Sequence, residues 1–150
     1  MERLHKFLQL TSSDRRLLAS TVALLGAIRL GLRLLPFRTI RGMITVVVKQ
    51  AQASAGSRRI GQPSLDRLVW AVTVASQYVP KATCLTQALA TQVLLAWHGQ
   101  PPSNLRVGVA KSEEGRLEGH AWVECQGRII VGGEDLSRYT LVPGMEQERP

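Results

Sequence analysis

At 150 residues, with 45% hydrophobic and 5% aromatic content, the chain is one domain whose aliphatic core needs no metal or disulfide staple. Two cysteines, with no CxxC pair and no Cys/His cluster, exclude a secreted disulfide scaffold and a zinc site, and a reducing cytoplasm is the expected compartment. The net charge of +8 is uneven: residues 1–60 carry 11 Lys/Arg and 2 acids, whereas residues 61–150 carry 8 and 9, so the first half is either a surface for something anionic or a set of solvated arginines that keeps an apolar helix soluble.

Ser12-Ser13-Asp14 is a credible N-cap for a first helix. Apolar residues then recur at Leu17, Leu18, Val22, Leu24, Leu25, Ile28, Leu32 and Leu35, and Pro36 ends or kinks the helix. The uncharged run Leu17 to Ile28 is 12 residues. A bilayer span needs ~20, and no small-x-small cleavage site follows closely, so the run reads as a buried or peripheral helix. A second helix is expected over Thr39 to Gln52, against the preference of Val46-Val47-Val48 for strand. Ser54 to Pro63 is polar, glycine-bearing and the best linker. Ser64 caps a third helix reaching about Gln77, and a fourth runs from near Thr83 to about Trp97, stopping at Gly99.

The apolar period then changes to two. Strands are expected at Leu105 to Val109, Leu117 to Cys125 and Arg128 to Val131, the last two joined by a Gln126-Gly127 hairpin turn. Helices first and an antiparallel sheet after make the fold class α+β. Residues 144–150 read as a tail.

Cys84 falls in the first turn of the fourth helix, after Thr83 as cap. Free N–H groups and partial positive charge there favour the thiolate, which is the nucleophile, and can hold an oxyanion. The competing reading is a buried structural cysteine. His120 is the natural base, because imidazole titrates near neutrality and lies on a different element. His98 shares the helix with Cys84, about 21 Å along the axis, too far to serve. His5 sits in the N-terminal arm. Strand alternation puts His120, Trp122 and Glu124 on one face and Ala121, Val123 and Cys125 on the other, so Cys125 is assigned to core packing. A two-residue turn pairs Cys125 with Arg128 and His120 with Gly133, and brings Asp135 to the His120 face as the acid that orients the ring. A three-residue turn puts Glu134 there instead. Both could equally be surface acids at a strand end. Gln87, one turn after Cys84, could meet substrate or the oxyanion or simply face solvent, and Trp122 could wall the site or fill core.

ATCLTQALA (82–90), GHAWVE (119–124) and the arginine-rich first helix ending in Leu34-Leu35-Pro36-Phe37 resemble the stand-alone leader peptidases of lasso-peptide biosynthesis. These belong to the transglutaminase-like cysteine peptidase superfamily, with its transglutaminase-like/papain-like architecture. The resemblance runs from about Leu8 to Pro143. It implies a Cys-His-Asp peptidase with Cys84 as nucleophile and His120 as base, and no cofactor. The place corresponding to the family's aspartate is Val131-Gly132-Gly133, which holds no acid, and Asp135 is the nearest aspartate. Residues 1–60 then form a basic helical docking region, 61–143 the transglutaminase-like catalytic core and 144–150 the tail.

The resemblance also implies partners: a precursor leader peptide, a leader-recognition protein and an ATP-dependent cyclase. Arg29, Arg33 and Arg41 are the candidates for docking one of them. Two other readings compete. One is acyl transfer to an amine by the same groups. The other is a non-enzymatic basic binding module. Nucleic acid is not expected, because the arginines are not interleaved with stacking aromatics. Peripheral membrane contact is compatible with the basic, apolar first helix.

Overall fold

A computed structural model describes residues 5, 8–54 and 61–143. Most of the expected linker and the whole expected tail lie outside the described residues.

Helix α1 spans Ser12–Leu34. Its cap is Thr11, one residue earlier than Ser12-Ser13-Asp14, because the Thr11 hydroxyl accepts from the Asp14 N–H at 3.2 Å and donates to its carboxylate at 2.7 Å. Pro36 stops α1 and starts α2 (Phe37–Ser54), since its carbonyl accepts from the N–H groups of Thr39 and Ile40. The valine run stays helical because tertiary packing decides it. Ile40 and Ile44 are buried and Val48 packs behind them, an i, i+4, i+8 stripe whose burial outweighs a β-branched penalty of about 0.5 kcal/mol per residue.

Helix α3 (Leu65–Ser76) is capped by Ser64 as expected. Helix α4 (Cys84–Trp97) is capped by Thr83, whose hydroxyl accepts from the Thr86 N–H. Every α4 residue from Ala88 to Ala96 is buried, the mark of a helix enclosed on all sides. By length and composition α1 could cross a bilayer, at mean hydropathy 1.6. In this fold its stripe of Leu17, Leu18, Thr21, Leu25 and Ile28 is core, and the buried Thr21 hydroxyl is satisfied by the Leu17 carbonyl at 2.7 Å.

Four antiparallel strands follow: β1 (Ser103–Lys111), β2 (Leu117–Cys125), β3 (Arg128–Val131) and β4 (Thr140–Leu141), in the order β3-β2-β1-β4. A 3-10 turn over Leu136–Arg138 precedes β4. The expected Gln126-Gly127 turn forms, with φ of 52° and 76°, the two left-handed residues of a tight hairpin, and Cys125 pairs with Arg128. The class is α+β, as the sequence implies. Helix α4 lies between the other helices and the sheet. One cluster joins Leu25 and Ile28 of α1, Ile40 and Ile44 of α2, Ala88 and Leu89 of α4, and Leu105, Ala121 and Val123 of the sheet.

Candidate active site

Cys84 is the first residue of α4, partly buried and packed on the cluster that includes Ala121. The Thr83 hydroxyl occupies the Thr86 N–H and the Thr83 carbonyl takes the Gln87 N–H at 3.0 Å. Among the described residues the N–H groups of Cys84 and Leu85 have no acceptor. Two unused donors beside a thiol at the positive end of a 14-residue helix suit a nucleophile and the oxyanion it creates.

The loop entering α4 is tied down from two sides. Arg29 of α1 donates to the Lys81 carbonyl at 2.8 Å, where Lys81 holds a left-handed φ of 58°. Gln87 donates to the Ala82 carbonyl at 3.3 Å. Gln87 is thus engaged in holding this loop. A cleft of about 860 Å³ opens beside this turn, lined by Arg29, Arg33, Lys81, Phe37, Thr83 and Leu85 among others. Its charged residues are all positive, Leu32, Phe37, Val79 and Leu85 add apolar lining, and Cys84 itself does not line it. Arg33 is exposed, with no ion pair among the described residues. Arg41 does not line this cleft.

His120 sits on β2 opposite Gly108 of β1. Its ring stacks on Trp122 (centroids 6.2 Å apart) and on Tyr139 (5.0 Å). Gly108 makes that stack fit, since a Cβ there would lie 2.9 Å from Tyr139 Cβ and 3.1 Å from the Trp122 ring. Trp122 is 5% exposed and donates through Nε1 to Glu124 at 3.2 Å. It therefore walls the histidine. His120 Nε2 lies 2.7 Å from the Gly132 carbonyl oxygen. A carbonyl only accepts, so Nε2 carries the proton, and the neutral ring's free lone pair is on Nδ1.

The register that aims Asp135 at His120 does not persist. A bulge between Val123 and Glu124 makes Ile130 an extra residue, so Glu124 pairs with Ile129 but Val123 pairs with Val131. The strand then ends, and Gly132 turns away at a φ of 76°. Asp135 is exposed, left-handed (φ 55°) and precedes the 3-10 turn, and Glu134 is exposed beside it. Among the described residues neither carboxylate bonds to His120, whose ring nitrogen meets Gly132 instead.

The elements carrying Cys84 and His120 pack together, α4 against β2. Their side chains are not hydrogen-bonded. Alternation sends Ala121 and Val123 into the core beneath α4 and leaves His120 and Trp122 on the other face of β2. Cys125 is 2% exposed with its thiol 3.7 Å from the Pro101 carbonyl, the core role expected for it. Burial pushes its thiol up, and the nearby Arg128 draws it part of the way back. Among the described residues no group of three or more His, Cys, Asp or Glu side chains could hold a metal ion.

Tyr139, Gly108 and the Arg29 tie carry no local sequence signal, since each acts through an element distant in the chain. Gly132 is different, because the glycine pair at the expected acid position is visible in the sequence. The sequence pattern of the family described as transglutaminase-like superfamily matches residues 26–143. No curated protein and no solved structure matches the chain.

Proposed function

Because the chain belongs to the transglutaminase-like superfamily, we propose that it is a cytoplasmic cysteine peptidase that removes the leader from a ribosomally synthesised lasso-peptide precursor. The observation that carries most weight is the capped start of α4, where Cys84 stands beside two unused backbone donors. Cys84 Sγ gives its proton to His120 Nδ1 and attacks the scissile carbonyl carbon. The N–H groups of Cys84 and Leu85 hold the oxyanion. The imidazolium returns the proton to the leaving amine as the C–N bond breaks. Water, deprotonated by Nδ1, then opens the thioester and frees Sγ. His120 lies on the face of β2 away from the core beneath α4, and its ring is not hydrogen-bonded to Cys84, so this step requires substrate binding to bring thiol and ring together.

The cleft beside the Cys84 turn would take the peptide, with Arg33 and Lys81 facing its acids. A leader-recognition protein would present the precursor, and an ATP-dependent cyclase would consume the product. The superfamily equally supports acyl transfer to an amine, in which an amine replaces water at the thioester. The mass of the product separates the two.

Cleavage of a precursor, with the recognition protein present, is the test. Cys84→Ala should lower it by about 10³-fold or more while far-UV circular dichroism and precursor binding stay unchanged. Full cleavage by that variant would end the cysteine-peptidase reading.

A further inference from the structure

We propose that the Gly132 backbone carbonyl, and no carboxylate, is the group that orients His120. This rests on the reading of His120 as the base. Three independent features of the chain converge on it. The first is the 2.7 Å contact, which fixes the tautomer with the proton on Nε2 and the lone pair on Nδ1. That is the nitrogen a thiol would use.

The second is the residue type. Gly132 has a φ of 76°, and a Cβ added to it would sit 2.6 Å from the Ala121 carbonyl oxygen and 3.1 Å from Trp122 Cα. Any other residue is both strained and in collision with the backbone of the histidine strand. Only glycine lets the chain cross β2 closely enough to deliver its carbonyl. The third is the bulge at Ile130, which ends the ladder one residue out of phase and carries Glu134 and Asp135 to the exposed 3-10 turn.

A carbonyl and a carboxylate do different things to an imidazole. Both hold the ring and choose its tautomer. Only the carboxylate adds a full negative charge to stabilise the imidazolium. Here the ring packs on Trp122 and on Tyr139, whose own ring also carries the Arg138 guanidinium 5.3 Å from its centroid. The ring is clamped by two aromatic faces and one hydrogen bond, so Gly132 is a positioning residue: it touches the base and not the substrate.

The experiment has an arm that needs no turnover. In folded Cys84→Ala protein, ¹⁵N NMR of the neutral His120 ring should report a protonated Nε2 and an unprotonated Nδ1. The opposite tautomer would overturn the proposal even if no substrate is ever found. In the wild-type background, Asp135→Ala, Glu134→Ala and the double variant should keep the tautomer and leave kcat/KM within about 2-fold, since sites with no shared partner act independently. A folded Asp135→Ala or Glu134→Ala that loses activity and changes the His120 signals would give the role to that acid. Gly132→Ala should drop kcat by about 10- to 100-fold, the usual loss when an orienting partner is disturbed, with KM nearly unchanged and the His120 tautomers mixed. If Gly132→Ala does not fold, the Glu134→Ala/Asp135→Ala double variant decides the matter: an unchanged tautomer and kcat/KM support the carbonyl, and a loss of both overturns it. A failure of the peptidase reading shows as absent cleavage with the Nε2–H tautomer intact.

Discussion

The two cysteines differ by environment alone. Cys84 stands at a helix start beside unused donors, and Cys125 is buried in the core. Burial raises the Cys125 thiol above its ordinary value of 9.0, against the smaller pull of Arg128. A raised folded value means the native state holds that proton more tightly than the unfolded chain. The associated stability is full below the ordinary thiol value and is lost as pH rises through the raised one. Urea midpoints should therefore decline in the alkaline range in wild type and Cys84→Ala, and that part of the decline should vanish in Cys125→Ala. An identical alkaline slope in Cys125→Ala would refute the assignment. The cap on Cys84 and the inward side of Cys125 were both readable beforehand, because capping and strand alternation are local rules. Gly132 was readable only as a missing acid, since its carbonyl has a role once the bulge has placed it over Ala121 and Trp122.

Among the elements, the entry to α4 depends on α1. Arg29 reaches from α1 to the Lys81 carbonyl and holds a left-handed backbone three residues before the nucleophile. Arg33, one turn later, has no ion pair among the described residues and faces the same cleft. Their substitutions should separate cleanly. Arg29→Met removes one charge-assisted hydrogen bond and should cost about 1–2 kcal/mol in chemical denaturation. Arg33→Glu should leave stability within about 0.5 kcal/mol and instead weaken binding of an acidic peptide, measured by fluorescence anisotropy on Cys84→Ala. Unchanged peptide affinity in Arg33→Glu would remove the cleft from the proposed function. The basic first half thus has two kinds of arginine, which the charge count treated as one. Sequence assigns charge to a residue but cannot say which carbonyl lies within its reach.

At the level of the whole molecule, residues on both sides of the expected linker share one core. Leu25 of α1 is 0% exposed and belongs to the same cluster as Ala88 of α4 and Ala121 of β2. Leu25→Ala should therefore cost about 2–5 kcal/mol, and the loss should appear in one cooperative transition seen alike by circular dichroism and tryptophan fluorescence. Two separate transitions would mean that the first helices fold independently of the rest.

By itself the sequence determined the order of the four helices and the first three strands, though not β4, and with them the caps at Ser64 and Thr83, the two-residue turn and the inward face of β2. All of these follow from interactions within a few residues. It also determined that no acid stands where Gly132 stands. The tertiary structure alone decided that Arg29 braces the Cys84 turn, that the hairpin slips by one residue at Ile130, and that His120 meets a carbonyl beside two aromatic rings. The physical reason is the same in each case: burial, close approach and register depend on what the distant chain brings alongside, and a bulge of one residue is enough to exchange a carboxylate for a backbone oxygen.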